Sequence, residues 1–191
     1  MAALNGEKGQ QYVCLRRRWL LGLALLQACT GRAWSQTEEG TDELHVKAAF
    51  LFKFTGYVDW PDSAFGKPDT PFIIGVLGSP TLQGELAQLT AGRKVHERAI
   101  QIRKIQAGES AAGLHLLFVA RSEALPNEAA RPVLVVTEAE GSMPRGSMIN
   151  FLIVDRRVRF EIALPSVEKA GLRMSSRLLA VAQRVIQTEE R

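Results

Sequence analysis

From Asp42 onward the apolar and polar positions fall into blocks whose period changes along the chain. Asp42 can N-cap a helix through Phe54, with Leu44, Ala48 and Phe52 on one line and Val46, Ala49 and Phe50 beside it. Trp60-Pro61 ends that segment, because the residue before a proline resists helical geometry. Residues 71–77 are a continuous apolar run between breakers, which predicts a strand buried on both faces. Ser79 then offers an N-cap and Pro80 a first helical position, so a helix follows toward Leu89. Ile100, Ile102 and Ile105 alternate with Gln101, Arg103 and Lys104 in a further strand. Runs 114–119 and 132–137 predict two more buried strands, each preceded by an Ala- and Glu-rich stretch that permits a helix.

The last third changes style. Runs 147–153 and 158–163 flank Val154-Asp155-Arg156-Arg157, the pattern of an antiparallel hairpin with an Asp-led turn. A short helix over Ser166–Ala170 and a closing helix from Ser175 toward Gln187 complete the reading. Leu178, Leu179, Ala182, Val185 and Ile186 share one face of that closing helix. Strands alternating with helices indicate an α/β domain: a mostly parallel mixed sheet flanked by helices, with a C-terminal β-hairpin and closing helix. One domain over residues 42–191 accounts for the whole pattern, with 36–41 a polar, flexible lead-in.

The first 35 residues read differently. Arg16-Arg17-Arg18 precedes the short apolar stretch Trp19–Leu26, and Ala33-Trp34-Ser35 has the small-x-small form of a signal-peptidase site. Residues 1–35 are therefore expected to be an export signal, and the apolar stretch is too short to span a bilayer. Two variants stay open. Leu26-Gln27-Ala28-Cys29 resembles a lipoprotein box, which would end the signal at residue 28 and anchor the chain through an acylated Cys29. The arginine run also resembles a twin-arginine signal. All three place the domain in the periplasm, soluble or lipid-anchored.

Charge and cysteine change the picture once the leader is set aside. The chain has 24 basic and 20 acidic residues, but Lys8, Arg16, Arg17, Arg18 and Arg32 precede Gln36 against a single acid, Glu7. The rest of the chain holds 19 of each, so the basic pI belongs to the leader and a nucleic-acid partner loses its support. Both cysteines, Cys14 and Cys29, also precede Gln36, which excludes a thiol nucleophile, thiolate metal site or disulfide from the domain.

Catalytic signatures are sought and not met. His45, His96 and His115 are too scattered for a zinc helix motif, and Gly75, Gly78 and Gly84 are spaced wrongly for a dinucleotide loop. Residues 108–113 miss the nucleophile elbow and precede a strand rather than follow one. Ser79 could hold an anion at a helix N-terminus, but capping alone explains it. The expectation is a protein that is not an enzyme, with no cofactor and no metal; a serine hydrolase with an unseen histidine partner is the discarded alternative.

What remains is uneven charge. Residues 36–90 carry 3 bases and 8 acids, and residues 91–191 carry 16 bases and 11 acids. Arg156, Arg157 and Arg159 crowd the hairpin, while Arg173 and Arg177 flank the last helix. Such a run is either a solvated face or a docking surface for an acidic partner. If Val158, Phe160 and Ile162 face the core, Arg159 and Glu161 face outward together. Arg173 and the Ser175 N-cap would then lie on an exposed rim beside them. Trp60 either plugs the edge of the core or stands exposed as an interface anchor. The candidate binding residues are Trp60, Arg159, Glu161, Arg173 and Ser175.

Residues 45–61, His-Val-Lys-Ala-Ala-Phe-Leu-Phe-Lys-Phe-Thr-Gly-Tyr-Val-Asp-Trp-Pro, resemble the opening signature of the YfiR-like family of periplasmic regulators. Blocks at 74–78, 146–151 with 158–162, and 170–179 match in order, so the resemblance spans about residues 43–186. It implies an α/β domain that dimerises in the periplasm, has no known enzymatic activity and binds the periplasmic sensory portion of a membrane diguanylate cyclase. Holding that cyclase inactive lowers cyclic di-GMP and biofilm formation, and an outer-membrane lipoprotein can sequester the repressor. Other members resemble small-molecule-binding accessory proteins for a sensor kinase or an outer-membrane receptor, which is the alternative function. The chain departs from the family pattern in lacking cysteines after Ser35, so redox control does not carry over. It also places Ala163 where members tend to carry Asn.

Overall fold

A computed structural model describes residues 35–67, 69–126 and 132–188. The expected export signal up to Trp34, with Cys29, lies outside them, whereas the expected cleavage junction after Ser35 lies within them. Met1–Thr41 and Asp42–Arg191 are two separate compact units. Of the first, only Ser35–Thr41 is described, as helix.

Helix α1 spans Ser35–Tyr57, so it begins ahead of the expected Asp42 cap and runs past Phe54. Strand β1 (Val58–Asp59), a 3-10 turn (Asp62–Ala64) and β2 (Phe72–Leu77) follow. Helix α2 (Pro80–Thr90) starts as the sequence implies: Pro80 is its first residue, and Ser79 Oγ accepts from the Leu82 amide at 3.4 Å. Next come β3 (Lys94–Val95), β4 (Arg98–Ile105), β5 (Leu116–Val119) and β6 (Leu134–Thr137). The hairpin is β7 (Ile149–Val154) and β8 (Arg157–Ala163), joined at Asp155 and Arg156, which both hold positive φ. That two-residue geometry suits the right-handed twist of the strands it joins. Helix α3 (Leu164–Lys169), β9 (Arg173–Met174), helix α4 (Ser176–Val181) and β10 (Arg184–Ile186) finish the chain.

Eight strands form one mixed sheet in the order β10-β8-β7-β6-β5-β2-β4-β3. The five central strands from β7 to β4 run parallel, with antiparallel partners outside them at β8 and β3. A separate pair joins β1 to β9, with Asp59 opposite Arg173.

Handedness decides what covers each face. The β2-to-β4 crossover carries α2 to the face where α1, α3 and α4 also pack. Phe54, Leu82, Leu86, Val167 and Leu178 share one core there with Phe118, Phe151 and Phe160. The next three parallel connections step the opposite way along the sheet. A right-handed crossover must therefore pass over the second face. Residues 106–115 do so, burying Ala111 and Leu114 against Leu77, Leu117 and Val119. No helix forms in 106–115, although the composition permits one; Gly108 and Gly113 take positive φ and the stretch turns. Among the described residues, loops rather than helices form the second layer.

The closing helix is present but ends at Val181, short of the expected Gln187. Ala182 is extended, and Arg184–Ile186 pair in parallel with Glu161–Ala163. The Leu178-to-Ile186 spacing fits a helix. The free edge of β8 nevertheless supplies backbone partners, and the Gln183 amide donates to the Phe160 carbonyl at 2.8 Å. Val185 and Ile186 suit a strand as well.

Candidate functional site

The five candidate residues are divided by the fold. Arg159 is exposed on the second face of the sheet, opposite Leu152 in β7. Arg173 and Ser175 lie on the helical side, beside the end of α1. Arg173 is exposed opposite Asp59, and the Ser175 amide donates to the Tyr57 carbonyl at 2.9 Å. Ser175 also caps α4, its Oγ accepting from the Arg177 amide at 3.3 Å. Two surfaces replace the single rim that the sequence suggests.

Glu161 belongs to neither. It shares a face with Arg159, as alternation requires, but it is 1% exposed. A row of directly opposed residues explains why: Thr137, Asn150, Glu161 and Arg184 stand side by side across β6, β7, β8 and β10. Thr137 Oγ1 donates to Asn150 Oδ1 at 2.8 Å, and Asn150 Nδ2 donates to Glu161 Oε1 at 3.1 Å. Arg184 Nε donates to Glu161 Oε2 at 3.0 Å. The 138–148 loop covers the row, since the Ala139 amide donates to Asn150 Oδ1 at 2.8 Å. Alternation assigns a face but not what lies over it, which is why the outward reading of Glu161 fails.

Trp60 is the plug rather than the exposed anchor. It is 9% exposed, stands edge-on to Phe72 at 4.9 Å, and donates from Nε1 to the His115 carbonyl at 3.0 Å. His115 itself stacks on both Phe65 and Phe72, at 4.5 and 4.9 Å between ring centroids. Its Nδ1 accepts from the Ile73 amide at 3.0 Å and its Nε2 contacts the Ala64 carbonyl at 3.2 Å. Burial pushes its pKa below the ordinary 6.5. The ring is a neutral structural group that fastens the segment after Trp60.

Sequence reasoning misses a crevice of about 550 Å³ at the carboxyl ends of β2, β5 and β6, lined by Gly78, Ser79, Arg121 and Glu138 among others. The chain leaves β2 and β5 toward opposite faces, and such switch points open crevices in α/β sheets. Lys47 crosses it from α1, 2.5 Å from Glu43 and 2.6 Å from Glu138. Glu138 Oε1 also accepts from the Arg121 amide at 3.1 Å, and Arg121 pairs with Glu140. These charges pair with one another, and Lys47 ties α1 to the sheet across the crevice. No group of His, Cys, Asp and Glu able to hold a metal occurs among the described residues. None of their helices is long and apolar enough to cross a membrane.

With this geometry in place, the comparison with known families is decisive. Residues 44–183 match the family described as YfiR/HmsC-like. The chain belongs to that family. Its members are periplasmic and regulatory, which agrees with the resemblance of residues 45–61 and of the later blocks. No curated protein matches the chain.

Proposed function

We propose that the protein is a periplasmic repressor of an inner-membrane diguanylate cyclase, binding the periplasmic sensory portion of that enzyme and lowering cyclic di-GMP. The observation that carries this reading is the family match across residues 44–183, nearly the whole described domain. The leader supports it: an export signal over residues 1–35, or a lipoprotein signal ending at residue 28, delivers the domain to the compartment where a sensory portion is accessible. The exposed cations Arg159 and Arg173 supply contact points whose charge would steer association. Ser175 positions the α4 end of the second of these, and Trp60 and Glu161 act by holding the surfaces in shape. The protein acts by occupancy and needs no chemistry of its own. A homodimer and sequestration by an outer-membrane lipoprotein complete the proposed circuit.

The test is reconstitution. Purified full chain, processed by the cell that exports it, is added to membranes containing the candidate cyclase. Cyclic di-GMP synthesis should fall in proportion to the chain bound. Undiminished synthesis under saturating chain would refute the reading.

A further inference from the structure

The segment between Trp60 and β2 lies against the amino-terminal ends of β2 and β5. Its first part, residues 61–67, is thinly held. Asp62, Ser63, Gly66 and Lys67 are exposed, and Pro61, Ala64 and Phe65 are half-buried. Its internal bonds are local: the Ala64 amide donates to the Pro61 carbonyl at 2.9 Å and the Phe65 amide to the Asp62 carbonyl at 3.0 Å. Side chains from the sheet fasten it at two places. Arg98, at the start of β4, donates to the Lys67 carbonyl at 2.9 Å, and its guanidinium lies 4.1 Å from the centroid of the Phe65 ring. His115, just ahead of β5, stacks on the same ring and meets the Ala64 carbonyl through Nε2. A segment with so few buried side chains opens at a lower free energy than the core behind it.

One of the two fastenings depends on a proton. The Ile73 amide donates to Nδ1 of His115, so the ring's own proton sits on Nε2 and donates to the Ala64 carbonyl. A second proton can enter only at Nδ1, where it would face the Ile73 N–H donor to donor. The new charge would also be buried, with Arg98 as the charged side chain that bears on it. Asp62, Lys67 and Asp69 around the segment are exposed, and His96, beyond Trp60, is engaged with the Thr55 carbonyl at 3.1 Å. Among the described residues no carboxylate bonds the ring. Its charged form is therefore stable outside this seat, in water. Leaving the seat deprives Ala64 of its donor and Phe65 of a stacked ring. Arg98 stays charged throughout and cannot respond in this way.

We infer that residues 61–67 are a pH-released strap: protonation of His115 unseats its ring and frees the segment, while the domain stays folded behind it. The ends of the strap are fixed by bonds that the proton leaves alone. Trp60 Nε1 donates to the backbone carbonyl of His115, and Arg98 also donates to the Thr70 carbonyl at 2.9 Å. Release therefore stays local, and it bares the rings of Phe65 and Phe72. Members of the family are periplasmic, and the acidity of that compartment follows the medium, so a histidine is the side chain suited to report it. The inference goes beyond the repressor reading and does not rest on it.

The test is a pH titration of the isotope-labelled full chain, as the cell processes it, followed by NMR from about pH 7.5 to about pH 5. The His115 ring nitrogens report its protonation directly. Along the same curve the Ile73 amide signal should shift, and those of Ala64 and Phe65 should move to the positions of unstructured chain. The amide of Phe118, which is fully buried in the core, should stay in place. His115→Asn, whose side-chain oxygen can accept from Ile73 at every pH, should hold the Ala64 and Phe65 signals still across the range. A ring that remains neutral to the acid end, or strap signals that stay fixed while the ring titrates, would overturn the inference. Loss of the Phe118 signal in step with the strap would do so too, because the event would then be unfolding of the domain. Movement that persists in His115→Asn would place the trigger at another group and likewise overturn it. Should that variant fail to fold, the wild-type curves of ring and strap decide alone.

Discussion

Arg184 donates from Nε to Oε2 of Glu161 at 3.0 Å, across the parallel pairing of the last strand with β8. The carboxylate is 1% exposed, whereas the Arg184 side chain is 58% exposed. A surface cation therefore neutralises a buried anion and fixes the register of β10.

Replacing Arg184 with Ala should destabilise the domain by about 1.5–3 kcal/mol, the range for a hydrogen bond to a charged group. The shift should appear in the urea midpoint, and hydrogen exchange should rise at the Gln183 amide, which bonds the Phe160 carbonyl. In a double-mutant cycle with Glu161→Gln, the two changes should cost less together than their sum. Full additivity would mean the pair is not coupled.

Phe54 is fully buried, stacks against Phe50 and Phe151 and meets Phe160 edge-on, with ring centroids 5.1–6.0 Å away. Phe54→Ala should cost about 3–5 kcal/mol. Phe50→Ala, at a half-buried position of the same cluster, should cost less, since part of its site is open to water. Equal losses in urea melts would contradict the packing described for α1.

Stability should fall with pH below 6.5 because of His115. Burial lowers its native pKa, so between that value and 6.5 the unfolded chain binds the proton that the folded chain refuses. The unfolding free energy then rises with pH through this window and levels off above 6.5. Protonation would also force Nδ1 to give up the Ile73 amide. His115→Asn should remove this part of the slope in melts run from pH 7.5 downward. An unchanged slope would place its origin at other groups.

The central strands were legible in the sequence because a strand buried on both faces must be apolar throughout, as 72–77 and 134–137 are. Ser79-Pro80 marked α2 for the same local reason. What escaped was nonlocal. Residues 178–186 satisfy a helical period, yet the chain turns at Ala182 to fill the open edge of β8, which no local pattern reports. The row from Thr137 to Arg184 draws one residue from each of four strands, so its burial depends on sheet order. Trp60 reads either way in the sequence, and its burial rests on contacts far along the chain, with Nε1–H donating to the backbone carbonyl of His115. Arg159 and Arg173, neighbours in the sequence argument, stand on different sides of the sheet. The opening block at 45–61, with the later blocks through 179, carried the family resemblance, and the family match spans residues 44–183.

The two arginine surfaces should respond differently to charge reversal. Arg159→Glu should slow association with the cyclase's sensory portion and leave stability within about 0.5 kcal/mol, as for surface changes generally. Arg173→Glu should slow it less, because β9 places that side chain opposite Asp59, which already offsets its charge. Stopped-flow association rates across a salt series separate the two, and identical rates for wild type and Arg159→Glu would remove Arg159 from the interface.

The most direct measurement is the cellular level of cyclic di-GMP in the native host with the gene deleted and then restored. The account predicts a rise on deletion, return to the starting level with the wild-type chain, and no return when the chain is expressed without residues 1–35. A level that stays unchanged on deletion would contradict the repressor function itself.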